Sequence, residues 1–306
     1  MIVRLGYVAI SNTINYTSSS PYTYSEYLNK NNIEKLDEVI KSNLLGLEHI
    51  LKYNVRNNIH FYRMSSKIIP LVTKKEIEFN YTTKYKKYYD RIKNIIRENN
   101  IRVDFHPDQF CVLNSTNKDV VDSSIEILKY HYNLLDIMGI EDKALILHIG
   151  SSVFGKDNSM KRFINRFNSL PKYLRDCIVI ENDDKVFNVS DVIRISDITG
   201  IPIVLDYHHY LCNKSDIDIN KIFNSWGNRT PKVHFSSPKS KKDYRSHSEY
   251  IDGDDFIAFL SILKEIDRDV DIMLECKGKD DSLFRLVRYI KYKTDYEFID
   301  ETTFRM

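Results

Sequence analysis

Thiols are scarce in this chain. Its four cysteines, Cys111, Cys177, Cys212 and Cys276, form no C-x-x-C pair, so a thiolate zinc finger has no ligands. Four cysteines in 306 residues also argue against a disulfide scaffold and fit a reducing cytoplasm. No run of 18 apolar residues is present, so no membrane-spanning helix is expected. The first ten residues, MIVRLGYVAI, carry Arg4 and no following apolar h-region, so no signal peptide is expected. Charge of one sign is lacking too: 45 Lys and Arg stand against 43 Asp and Glu, a net +2. That balance decides little, because a nucleic-acid binder can concentrate its positive charge locally. No Gly-rich phosphate loop follows the first apolar run, and no low-complexity linker divides the chain. With 42% hydrophobic residues, the expectation is one domain over residues 1–306 with a sizeable core.

What is present is a regular alternation. Short β-favouring runs recur at 3–10, 59–64, 102–106, 144–150, 177–182, 201–207, 232–236 and 271–276. Between them, apolar residues repeat at helical spacing, as in Ile33, Leu36, Ile40, Leu44, Leu47 and Leu51. The same spacing links Val121, Ile125, Leu128, Leu135 and Met138, and again Phe256, Phe259, Leu260, Leu263 and Ile266. Asn31 with Glu34, and Asp252 with Asp255, read as helix starts; Gly139 and Gly200 read as stops. Eight strands alternating with helices predict an α/β fold, a (β/α)8 TIM barrel in a single domain, ending in a C-terminal helix and tail from about residue 281. Two long loops, 65–82 and 236–251, follow strands, where a barrel builds its active site.

Polar residues gather at the strand ends. Residues two apart share a strand face. On that parity the strands end in His106, His148, Glu181, Asp206, His234 (two after Lys232) and Glu275, with His60 and Tyr62 paired on the second strand. The loops add His209 and His247. Any one such histidine is more often a hydrogen-bonded rim residue than a ligand. Converging imidazoles and carboxylates without compensation would cost several kcal/mol, and metal ions supply that compensation. Mixed His and carboxylate ligands suit Zn²⁺, Mn²⁺ or Fe²⁺ better than Ca²⁺ or Mg²⁺. Eight or nine candidates are too many for one ion and fit two or three.

The segments HPDQF (106–110), LILHIGS (145–151), IVIEND (178–183), LDYHH (205–209), PKVHFSSP (231–238) and MLEC (273–276) resemble the ultraviolet damage endonucleases, a family related to endonuclease IV. The likeness runs from about residue 3 to 280. It implies metal ligands at His106, His148, Glu181, Asp206, His209, His234, His247 and Glu275. It implies catalytic roles for Glu181, Glu275, His234 and Lys232, the last as a lysine that carries a carboxyl modification near the metals. Gln109 and Phe110 would enter the duplex at the lesion, with Tyr7, Asn12, His60 and Lys277 near the DNA. The family position of Phe110 is usually Tyr; Phe keeps the stacking face and loses the hydroxyl.

The resemblance implies a hydrolase that uses two or three divalent ions, manganese foremost and zinc or cobalt as alternatives. It would nick double-stranded DNA 5′ to pyrimidine dimers and 6-4 photoproducts, leaving 3′-hydroxyl and 5′-phosphate ends, as a cytoplasmic, nucleoid-associated monomer. The basic run SSPKSKKDYR (236–245) reads as DNA-facing, and TKYKKYY (83–89) as a solvated helix face. The rivals are an abasic-site endonuclease, a metal-dependent sugar isomerase or epimerase on the same barrel, and a catalytically silent damage binder.

Overall fold

The computed structural model describes every residue except 31, 75, 78 and 109, with the backbone alone at 30. Eight parallel strands are β1 (Ile2–Val8), β2 (Phe61–Met64), β3 (Arg102–Phe105), β4 (Leu145–His148), β5 (Ile178–Glu181), β6 (Ile203–Asp206), β7 (Lys232–Phe235) and β8 (Val270–Leu274). Each from β2 to β8 pairs with the next, and β1 pairs with both β8 and β2, which closes the cylinder. Helices fill every crossover, so all eight expected strands lie in the TIM barrel that the alternation predicts.

The three predicted helices span Ile33–Arg56, Lys118–Ile137 and Gly253–Lys264. Asn31 lies outside the described residues; the first of these helices is capped by Asn32, whose side chain accepts from Lys35 N at 2.9 Å. Asp252 Oδ1 accepts from the backbone N of both Asp254 and Asp255 at 3.0 Å. Gly200 closes its helix in the left-handed conformation, φ 74°.

The barrel interior is divided. One side, on β4 to β6, is apolar: Ala144, Ile146, Val179 and Val204 pack with Trp226, whose Nε1 donates to Ile203 O at 2.7 Å. The other side is charged. Asp271 accepts from Arg4 at 2.6 Å and from Arg102, and Asp142 accepts from Arg102 at 2.9 Å and Arg229 at 2.6 Å. Each carboxylate is therefore shared between two guanidinium groups, which compensates the burial of the charge.

Parity on β2 differs from the expectation. Arg63 faces Asp104 inside the barrel, whereas the Tyr62 hydroxyl donates to Ala9 O at 2.5 Å and its ring tilts against Tyr7, 5.2 Å away. His60 precedes the strand and lies at the opposite end of the barrel, with Nδ1 3.1 Å from Asn99 O and Nε2 3.6 Å from Asp300. The tail also holds more structure than a helix alone. After the helix Lys279–Lys293, β9 (Glu297–Phe298) and β10 (Thr303–Arg305) form a hairpin, and β10 runs antiparallel to the start of β1 with Ile2 opposite Arg305. Among the described residues no helix is long and apolar enough to cross a membrane.

Candidate metal centre

Six strands deliver the site. His106 follows β3 directly, His148 ends β4, Glu181 ends β5, Asp206 ends β6, His234 sits within β7, and Glu275 follows β8. Because strand residues alternate, each of these side chains points to the same mouth of the barrel. His209 joins them through a local device. Asp206 caps the short helix Tyr207–Cys212, its Oδ1 accepting from His209 N at 2.6 Å, which turns the His209 ring back over the strand tips. Asn182 locks the two neighbouring strand ends together, accepting from Asp206 N and donating to Asp206 O, both at 2.9 Å.

Glu181 is the hub. Its Oε2 accepts from His106 Nε2 at 3.0 Å and its Oε1 from His234 Nδ1 at 2.6 Å. His148 Nε2 and His209 Nδ1 approach the same carboxylate at 3.7 and 3.8 Å. Three groups of potential ligands result, each drawn together within 4.8 Å: His106, His148 and Glu181; Glu181, Asp206 and His209; Asp206, His234 and Glu275. Adjoining groups share Glu181 and Asp206, the geometry a bridging carboxylate needs.

The electrostatics fit cations. Burial raises the Asp206 pKa to about 6 and lowers the His148 pKa to about 4, so burial alone disfavours the charged form of each. Asp206 Oδ2 and His148 Nδ1 are buried and make no hydrogen bond within the protein, a cost that a ligated ion would remove. Burial lowers the His209 pKa too, but Asp206, Glu181 and Glu275 outweigh it and raise the pKa to about 9. His106 is raised likewise by Glu181 against burial. Glu181 is held well below the usual carboxylate range, despite burial, by His234 and His148. The donor set is mixed imidazole and carboxylate, the type that zinc, manganese or iron accepts.

Arg63 is a component that strand-end reasoning missed. Its Nε donates to Asp104 Oδ1 at 3.0 Å, and its two terminal nitrogens donate to Glu275 Oε1 and His234 Nε2. A guanidinium cannot accept, so His234 Nε2 accepts from Arg63 and Nδ1 carries the proton to Glu181. In this arrangement both ring nitrogens of His234 are engaged, so its ligation of an ion requires the Arg63 guanidinium to move off Nε2 or the Nδ1 proton to leave. Asp104 shares the parity of His106, and that was its one signal in the sequence. Lys232 lies one layer below the mouth, 3.2 Å from Asp104 Oδ2 and 4.2 Å above the Phe61 ring. Its ammonium is thus matched by a carboxylate.

Of the remaining expected residues, the structure brings some to the mouth and removes others. The loop after β7 folds back on itself, with Pro238 bridged to His247 and Lys239 N donating to Ser246 O at 2.7 Å. His247 thereby comes to 5.3 Å from His208 and 6.1 Å from His209, ring to ring, beside the three groups and outside them. Asn12 and Lys277 adjoin: Asn12 Nδ2 donates to Lys277 O at 3.2 Å. Phe110 is exposed on the loop after β3. Gln109 lies outside the described residues. Two expectations are corrected. Tyr7 is buried behind the barrel wall, its hydroxyl donating to Asn54 Oδ1 at 2.8 Å, because Gly6 and not Tyr7 has the inward parity. His60 is at the far end of the barrel from the mouth, as described above. Neither is positioned to meet a ligand there.

A closed TIM barrel whose strand tips converge histidines and carboxylates defines a class: barrel proteins with a centre of metal-ligating type. Within that class, this chain belongs to the UV-endonuclease UvdE family, whose model matches residues 3–303. The UV DNA damage endonuclease of Bacillus cereus is 37% identical over 300 residues, covering 94% of each chain. The crystal structure of SacUVDE superposes with a TM-score of 0.87 at 36% identity, over 95% of this chain and 98% of that one. Endonuclease IV from Thermus thermophilus matches with a TM-score of 0.59 at 12% identity, over 94% and 99%, a likeness of fold. The family resemblance carried by HPDQF, LDYHH and MLEC is borne out.

Proposed function

We propose that the chain is a metal-dependent repair endonuclease that nicks double-stranded DNA 5′ to ultraviolet photolesions, leaving 3′-hydroxyl and 5′-phosphate ends. The observation that carries this reading is the sharing of Glu181 and Asp206 among three ligand groups at one barrel mouth. His106, His148, Glu181, Asp206, His209, His234 and Glu275 would hold two or three divalent ions, manganese foremost. Such ions, when bound, acidify water and neutralise a phosphodiester's developing charge.

The chain's own residues prepare that chemistry. Glu181 and Asp206, the carboxylates common to adjoining groups, hold the sites close together. Arg63 balances Glu275 and would give up its contact with His234 Nε2 if that nitrogen ligated an ion. His209, whose pKa Asp206, Glu181 and Glu275 raise to about 9, would have to release a proton to ligate an ion, which would link ion binding to pH. Burial lowers the Lys232 pKa, which favours the free amine that a carboxyl modification requires. Intact-mass measurement of the native protein would find that added carboxyl group or its absence. Gln109 and Phe110 would probe the duplex, with Asn12 near the flipped nucleotides and Lys277 at a phosphate.

The test uses supercoiled plasmid with Mn²⁺, in ultraviolet-irradiated, untreated and abasic forms. Selective nicking of the irradiated plasmid supports the reading. Nicking of the abasic plasmid alone replaces it with an abasic-site nuclease, and nicking of none removes it.

A further inference from the structure

Phe154 combines two features that packing does not explain. Its ring is 76% exposed and carries no polar group. Its backbone has φ +62°, a conformation that bulky side chains rarely adopt. Strain of this kind persists only where surrounding structure imposes it, and it concentrates at functional sites.

The imposing structure is well defined. Val153 O accepts from Arg162 Nη2 at 2.6 Å and from Ser159 Oγ at 3.1 Å. Phe154 O accepts from Asn158 Nδ2 at 2.9 Å, and Gly155 N donates to Ser152 O at 2.9 Å to close the turn. The backbone is pinned on both sides of a ring that is left in solvent.

The same loop is joined to the one that carries Phe110. Asn114, fully buried on the loop after β3, donates to Ser151 O at 2.7 Å and accepts from Ser151 N at 3.2 Å on the loop after β4. Arg162 Nε adds a bond to Asn114 O at 2.9 Å. These loops leave strands whose tips are His106 and His148, with rings 5.1 Å apart in the candidate metal centre. Phe110 stands four residues beyond the first and Phe154 six beyond the second. Phe110, 72% exposed, and Phe154 are the two exposed phenylalanines among the described residues.

We propose that Phe154 is a second DNA-reading ring, which stacks on a nucleobase of the damaged duplex alongside the one met by Phe110. The inference rests on the reading of this barrel as a DNA-nicking enzyme and adds a substrate-contacting residue to it. A nucleobase offers a flat apolar face, and stacking on an aromatic side chain tolerates any base identity. A lesion that disrupts stacking makes such a face available at low cost.

The chain's lone tryptophan, Trp226, is buried, so Phe154→Trp introduces an exposed reporter. The assay follows fluorescence and anisotropy with labelled duplexes, one with a single thymine dimer and one undamaged, using Glu275→Gln protein with Mn²⁺ to prevent cleavage. The expected result is that Phe154→Trp emission is quenched by the dimer duplex, while Trp226 emission alone is not. Phe154→Ala is expected to bind that duplex about tenfold more weakly, with its melting temperature unchanged. In cleaving protein the same substitution raises KM and leaves kcat near its value. Equal affinity of Phe154→Ala and its parent for the dimer duplex overturns the inference and leaves the nuclease reading standing. So does self-association abolished by Phe154→Ala with DNA affinity unchanged, which assigns the ring to a second copy of the chain. If the parent does not prefer the dimer duplex at all, the nuclease reading falls and this inference with it.

Discussion

Arg63 Nε donates to Asp104 Oδ1 at 3.0 Å inside the barrel, across 41 positions of sequence. On its other side Asp104 lies 3.2 Å from Lys232. One carboxylate therefore answers two buried cations directly beneath the metal-ligating mouth. Asp104→Ala leaves both cations without it. Breaking a buried ion pair from one side costs about 3–5 kcal/mol, so urea unfolding should show a loss of that order. A loss under about 1 kcal/mol would mean that Arg63 and Lys232 find other partners at no cost.

Glu181→Gln tests the hub. It keeps the shape of a side chain that touches four histidines and removes its charge. Calorimetric titration with Mn²⁺ should show affinity reduced by more than about tenfold, equivalent to about 1.4 kcal/mol. Unchanged affinity and stoichiometry would take Glu181 out of the centre.

Glu275→Gln separates chemistry from recognition. The side chain belongs to the group with Asp206 and His234 and is held in place by Arg63. Nicking of irradiated plasmid should be lost while binding of the damaged duplex persists. Retained nicking would exclude Glu275 from the reaction.

His131 makes stability depend on pH. It is buried against Phe105, with Nδ1 2.8 Å from Ile127 O, and burial lowers its pKa from 6.5 to about 4. The folded state thus binds the proton more weakly than the unfolded chain. The stability this contributes is complete above about pH 6.5 and is lost as pH falls towards 4. The linkage is worth about 3 kcal/mol in all, of which about 2 kcal/mol is lost by pH 5. Urea melts of the parent and His131→Phe at pH 7 and pH 5 isolate this term: the parent should lose about 2 kcal/mol more than the variant. Equal losses would show that His131 does not titrate in this range.

Gly150 sits two residues past His148, with φ +108°. A Cβ there would meet Asn114 Oδ1 at 2.5 Å and Val112 Cγ1 at 2.7 Å. Gly150→Ala should therefore cost about 1–3 kcal/mol, read by thermal melting, and should loosen the joint between the loops after β3 and β4. An unchanged melting temperature would show that Asn114 can move aside freely.

Much of this was legible in the chain because period-2 alternation and helical spacing are local. The eight strands, and the strand-tip residues His106, His148, Glu181, Asp206, His234 and Glu275, follow from parity alone. Parity failed on β2, where a short apolar run admits two registers: pairing of Gly6 with Phe61 makes Arg63 face inward, and that pairing joins residues 55 apart. The same slip put His60 and Tyr62 on the inward face. His60 also lies just before β2, away from the mouth, and Tyr7, placed by the resemblance alone, has the outward parity of β1. Arg63 itself was hidden because an arginine in a strand ordinarily faces solvent, and Asp104, Glu275 and His234, which make its burial tolerable, are remote in sequence. The β9–β10 hairpin was hidden for a related reason: β10 is three residues long and is specified by its partner β1, at the opposite end of the chain. His247 depends on how the loop 236–251 folds back, which no periodicity encodes.

The account stands on the claim that seven side chains at one mouth of the barrel form a multi-ion centre. Anomalous diffraction at the manganese edge, from crystals grown with Mn²⁺, tests it most directly. Two or three peaks are expected among His106, His148, Glu181, Asp206, His209, His234 and Glu275, and the peak next to Glu181 should disappear in Glu181→Gln. Crystals of active protein with no anomalous peak in this cluster, or with manganese bound only elsewhere, would contradict it.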